Sequence, residues 1–172
     1  TQETVHLNVI DQLERLCIET LESSQHLKAS MPVGSRSPLY AGASSKCLLA
    51  FSPVEFSDSY LAQVDLVPLT AHTVTNVLKL RTELIKIRRQ GYAESLGERT
   101  EGLGSLSAPI LDHNGQLVAA VSLAIPQMRY QDPAHKAFCL RALISSTSGF
   151  SRQIGFGIGG EDRSEAGLES KP

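Results

Sequence analysis

Residues 105–125 read S-L-S-A-P-I-L, then D-H-N-G-Q, then L-V-A-A-V-S-L-A-I, two apolar runs of small residues joined across Asn114-Gly115. Asn-Gly between such runs is the strongest short-range hairpin signal, because tight hairpin turns need backbone at positive φ. Strands are predicted over 105–111 and 117–125. If Asn114 and Gly115 form the loop, Ser105 stands opposite Ala124 and Ser107 opposite Ser122; if His113 and Asn114 do, Ser105 stands opposite Ser122. Strand side chains alternate with period two, so both registers put Ser105, Ser107, Ser122 and Ala124 on one face. Leu106, Ala108, Ile110, Leu117, Ala119, Val121 and Leu123 fall on the other. One face is core. The other is small and hydroxylated, as a sheet must be where something other than a helix fits against it. Such a face is either wet or covered; covered hydroxyls need partners, since an unpaired buried polar group costs roughly 1–3 kcal/mol, and a bound polar molecule or ordered water would supply them.

Around this hairpin the chain alternates between the two common periods. Residues 4–10 and 15–21 read as paired strands across Asp11-Gln12, and 27–31 as a third strand before a Gly/Ser/Pro-rich loop at 32–38. A helix is predicted over 43–51. Ser52-Pro53-Val54-Glu55 reads as a new helix start, with Ser52 at N-cap, Pro53 at N1 and Glu55 closing a capping box. Thr75 or Asn76 caps the longest helix, whose stripe is Val77, Leu80, Leu84 and Ile87 and whose end is Gly91. Asp132-Pro133 starts the last helix, with Ala137, Leu140 and Ile144 on one side. Strands, helices, strands and helix in that order indicate an α+β domain with an antiparallel sheet. The folded domain is predicted to span 1–156, and 157–172, rich in Gly, Glu and Ser, to be a disordered tail.

Composition narrows the function. A hydrophobic content of 41% over 172 residues is enough for one core. The formal net charge of -2 and the absence of Trp argue against a surface that grips nucleic acid by itself. Cys17, Cys47 and Cys139 are odd in number and irregularly spaced, which fits reduced thiols in a cytoplasm rather than a disulfide framework. No apolar run is long enough to span a bilayer. The glycines at 97, 102, 104 and 155–160 lack the Walker spacing and read as turns and tail. His6, His26, His72, His113 and His135 show no i,i+4 pair, so no metal is expected. Ser44 and Ser45 precede a helix without a G-x-S-x-G elbow, so no enzyme is expected. Arg81, Glu83, Lys86, Arg88 and Arg89 read as a solvated helix face.

Several motifs in order resemble the effector-binding domain of the IclR family of bacterial transcriptional regulators. Arg88-Arg89-Gln90-Gly91-Tyr92-Ala93 matches its R-R-x-G-Y-A, and 104–112 with 115–126 match its G-x-x-x-(I/L)-(A/S)-A-P hairpin. Residues 33–41 are similar to its R-x-G-x-x-x-P-L-H-A loop, 45–50 to its G-K-A-x-L-A helix, and Thr73-Val74-Thr75-Asn76 to its T-x-T-D cap. The resemblance covers about residues 1–150. It implies a GAF-like domain: a curved antiparallel sheet of about six strands, helices packed behind it and a ligand cavity in front.

It also implies a ligand site at Ala43, Ser44, Ser45, Ser95, Ser105, Ser122 and Ala124. The implied ligand is a small organic acid whose carboxylate meets backbone N–H groups at the helix start. The chain departs from the family pattern in four places: Ser44-Ser45 in place of a glycine, Ser95 where Asp is common, Ser105 where Cys is common, and Ala124 where a second Ser is common. Homodimers or homotetramers, no cofactor, a cytoplasmic setting, and DNA contact only through a winged helix-turn-helix N-terminal to this chain complete the expectation. A GAF-like module of another signalling protein, binding a nucleotide or acting in dimerisation only, is the alternative.

Overall fold

The computed structural model describes residues 1–157. Six strands form one antiparallel sheet: β1 (Thr4–Asp11), β2 (Glu14–Leu21), β3 (Arg36–Pro38), β4 (Ala93–Leu96), β5 (Leu103–Leu111) and β6 (Leu117–Pro126), in the order β3-β2-β1-β6-β5-β4. Helices α1 (Ala43–Phe51), α2 (Val54–Gln63) and α3 (Val77–Gln90) sit between β3 and β4, and α4 (Gln127–Tyr130) and α5 (Pro133–Gln153) follow β6. The α+β expectation holds.

The hairpin closes through a three-residue loop. Asp112 N–H donates to the Gln116 carbonyl at 2.9 Å, and Gly115 takes the left-handed conformation at φ 73. Leu111 then faces Leu117 but Ile110 faces Ala119, so Val118 is an extra, exposed residue. This bulge restores the register Ser105↔Ala124 and Ser107↔Ser122. It also reverses parity at its own end: Leu117 packs with the cluster of α1 and α3, not with Val121 and Leu123.

Each sheet face has its own core. Leu106, Ala108, Leu123 and Ile125 pack behind, against Tyr130, Cys139 and Leu143 of α4 and α5. In front, Ala93 and Ala120 pack with Cys47, Leu48, Leu80, Leu84 and Ile87 of α1 and α3. Small residues on the front of β5 and β6 let α1 lie close to the sheet. Beside the start of α1 the front is left open.

Caps behave as local chemistry dictates, with one exception. Asn76 Oδ1 accepts from Lys79 N–H at 2.9 Å, and Gly91 ends α3 at φ 85. Asp132 caps α5 with Pro133 at its first position. The capping box at Ser52 does not form: its hydroxyl donates to Leu49 O at 2.8 Å and its N–H to Leu48 O, so it closes α1 instead of opening α2. Other elements also differ from expectation. The third strand is Arg36–Pro38, held by Arg36 ion pairs to Asp11 and Glu14, and 27–31 is not a strand. The buried line of α5 is Cys139, Leu143, Thr147 and Ser151, leaving Ile144 at the rim. Small hydroxyl residues permit this, because Ser151 Oγ donates to Thr147 O and accepts from Leu111 N–H at 3.0 Å. The tail predicted for 157–172 lies, past its first residue, outside the described residues.

Candidate functional site

In front of the sheet, a cleft with about 60 Å³ of interior room lies between the start of α1, β4, β5 and β6, and the segment 97–102. Of the seven residues singled out above, Ala43, Ser44, Ser95, Ser105, Ser122 and Ala124 line it. Ser45 does not. It is fully buried one position further into α1, and its Oγ has no hydrogen-bond partner among the described residues. Ser107 is on the same sheet face but lies under α1, donating to Val121 O at 3.0 Å. Beside it the buried Cys47 thiol is pushed up to about 12 by desolvation, which makes it an inert core group.

The segment that covers the cleft is short. Ala93–Leu96 is strand β4, an edge strand that sets Ser95 directly opposite Ser105. What remains, 97–102, is tied down. Thr70 Oγ1 donates to Gly97 O at 2.7 Å and Thr73 Oγ1 to Glu98 O at 2.7 Å. Glu98 turns inward, where Oε1 pairs with Lys46 Nζ at 2.5 Å and Oε2 accepts from Gly42 N–H at 3.1 Å. Lys46 also pairs with Glu83 of α3 at 3.0 Å. The charged face of α3 is therefore only partly solvated; Arg88 likewise donates to the carbonyls of Ala50 and Ser52.

The start of α1 is already provisioned. Ala43 N–H donates to Ser95 Oγ at 3.0 Å, and the Glu98 carboxylate sits at Gly42, where an acid is favoured by the helix dipole. Ser122 Oγ accepts from Asn8 Nδ2 at 3.0 Å, so its proton remains available to a group in the cleft.

At the other end the cleft is bounded by His6, Met31 and Arg99, none of which was singled out as a site residue. His6 is buried on β1 opposite Ser122. Burial, then Arg15 and Arg99, hold its pKa at about 4, so its imidazole is neutral at neutral pH. Behind Met31 lies Arg15, fully buried, its pKa lowered to about 10 mainly by desolvation. One sequence signal pointed to Arg15. The alternation of β2 puts it on the same buried side as Cys17, where a charge demands explanation. Nothing local marked Arg99 or Met31, whose positions depend on loops. Among the described residues no group of three or more His, Cys, Asp or Glu side chains is placed to hold a metal ion.

A curled antiparallel sheet with helices on both faces and a small polar cleft in front defines a GAF-like α+β domain. Residues 1–151 match the family described as bacterial transcriptional regulator IclR, C-terminal, and the chain belongs to that family. It is similar to the HTH-type transcriptional regulator KdgR of Dickeya chrysanthemi, 31% identical over 157 residues, covering 91% of this chain and 51% of that protein. The KdgR of Escherichia coli is 30% identical, with 91% and 59% covered. This chain thus spans about half the length of the curated relatives it matches. Among solved structures, a Thermotoga maritima IclR superposes with a TM-score of 0.83 at 35% identity, covering 91% of this chain and 63% of that one. The C-terminal domain of E. coli KdgR superposes with a TM-score of 0.79 at 29% identity, covering 91% and 90%. The relatives are named as transcriptional regulators, not as enzymes. No helix among the described residues is long and apolar enough to cross a membrane.

Proposed function

We propose that this chain is the effector-binding and oligomerisation domain of an IclR-type regulator, controlling DNA binding by a helix-turn-helix domain N-terminal to it. The observation that carries the reading is the cleft. Ser95, Ser105, Ser122, Ala43, Ser44 and Ala124 converge there from four elements, beneath a segment anchored by Thr70, Thr73 and Lys46. Small side chains leave space, and hydroxyls with a free proton or lone pair give that space polarity. The effector is a small organic acid or a related metabolite. It acts by binding one arrangement of subunits better than another, since a ligand without differential affinity shifts nothing.

The subunits are copies of this chain, as dimers or tetramers. Exposed apolar side chains such as Leu78 and Ile85, one above the other on α3, are suited to such contacts. Three buried, unpaired cysteines suit a reducing cytoplasm.

A thermal-shift screen of small organic acids tests the site. An acid at a hundred times its Kd adds about 2.7 kcal/mol of stability, an easily measured rise in Tm. Unchanged melting across the whole set, neutral analogues included, counts against the reading.

A further inference from the structure

Two guanidinium groups at one end of the cleft have no anion beside them. Arg15 Nε donates to Ser37 Oγ at 2.7 Å, and Nη1 to Asn8 Oδ1 at 2.8 Å and Met31 Sδ at 2.9 Å; Nη2 has no partner. Arg99, which lines the cleft, leans on the same Met31 Sδ at 3.5 Å and Ser37 Oγ at 3.4 Å. Every one of these acceptors is neutral. Among the described residues neither arginine joins an ion pair, while the cleft's own acid, Glu98, is engaged by Lys46 and Gly42. A buried charge without a counter-ion is costly, and in folded proteins it is as a rule paired. His6, uncharged and with Nε2 unpartnered, adds no third cation but leaves a polar atom facing the same region.

The opposite end cannot serve an incoming anion as well. Ala43 N–H at the start of α1 already serves Ser95 Oγ and the N-cap Gly42 N–H serves the Glu98 carboxylate, so a second carboxylate there would meet like charge.

Taking the cleft as the effector site, we infer that it is built for a short dicarboxylate, one of whose carboxylates is gripped at Arg99 beside His6 and Met31. Arg15 supplies the second positive charge from behind, and Ser122 and Ser105 serve the body of the molecule. Two uncompensated cations at one end favour two negative charges over one, and a short chain keeps both carboxylates at that end, away from Glu98. The small interior favours a short chain, as about 60 Å³ holds only a few water-sized groups.

The test uses three probes of one carbon skeleton: malonate, propionate and malonamide, carrying two, one and no negative charges. Calorimetry on the 172-residue chain is run in chloride buffer of fixed ionic strength. Malonate is expected to bind at least about ten-fold more tightly than propionate, with malonamide weaker than both. Arg99→Gln should weaken malonate roughly 10- to 100-fold, as loss of a hydrogen bond to a charged group does. Arg15→Met should bring malonate and propionate to within about three-fold of each other, since it removes the distant charge without touching the ligand. Equal affinity for all three probes overturns the inference, as does malonate binding unchanged by Arg99→Gln. Binding that ignores Arg99 yet is lost in Ser105→Val leaves the cleft as the effector site and rejects only its arginine end. If malonate and every dicarboxylate up to five carbons leave calorimetry and melting flat while another acid of the screen binds, the dicarboxylate inference falls and the effector-site reading stands; flat responses across the whole screen remove both.

Discussion

At Ser122 one hydroxyl does two jobs, and the structure corrects an expectation that sequence alone encourages. Valine favours strands, so Ser122→Val reads from sequence as a change the fold should tolerate. In the folded chain Ser122 is buried and takes a hydrogen bond from Asn8 Nδ2, which itself steadies Arg15 through Oδ1. Ser122→Val is therefore expected to cost about 1–3 kcal/mol of stability by orphaning a buried amide proton, measurable by urea unfolding. Gly104 is set by a different constraint, because a Cβ there would overlap the Tyr130 ring. His6 offers a pH test. Its pKa is held at about 4 against an ordinary 6.5, so the unfolded chain takes up its proton first as pH falls. Its contribution to stability is present above pH 6.5 and is lost as pH falls towards 4. Between pH 7 and 4.5 that loss is roughly 2 kcal/mol. Urea melts at the two pH values should show wild type losing about that much more than His6→Gln; an identical pH dependence of the two would exclude His6 as the titrating group.

Among the elements, α1 and the 97–102 segment are held as a unit by a buried ion pair. Lys46 is almost wholly inaccessible, and its ammonium joins Glu98 of the covering segment to Glu83 of α3. Removing one partner of such a pair leaves a buried charge, which costs about 3–5 kcal/mol. Lys46→Met is expected to lower Tm sharply, and Lys46→Met with Glu98→Gln to recover part of the loss; a double variant no more stable than the single one would argue against the pair. The hairpin shows a second effect at this scale. Its bulge at Val118 lets a three-residue loop and the Ser105↔Ala124 register coexist. A sequence can announce a turn at Asn114-Gly115, but whether an extra residue is absorbed depends on what the flanking strands pack against. The same holds for Ser52: its residue type suits a helix start, but α1 ends there first and uses the hydroxyl.

At the scale of the whole molecule, charge and membership of a regulator family lead to one expectation about nucleic acid. With a formal net charge of -2 and its helices committed to the core, this chain alone should not bind duplex DNA specifically. A mobility shift with a defined operator at physiological salt should show no complex, while light scattering at tens of micromolar should show self-association. The α+β class, the hairpin, the caps at Asn76, Gly91 and Asp132, and the shared face of Ser105 and Ser122 were all legible in the sequence. Each depends on backbone period, a turn dipeptide or a capping side chain acting within a few residues, which is the range over which sequence order and spatial order coincide. The motif series likewise pointed to the family. Other features needed the tertiary structure. The turn of Ser45 away from the cleft, the strand at Arg36–Pro38, and the meeting of His6, Arg15, Met31 and Arg99 join residues from distant parts of the chain. Long-range packing alone decides whether a buried arginine finds a carboxylate, and here it leaves two guanidinium groups facing neutral acceptors, a result no local pattern encodes.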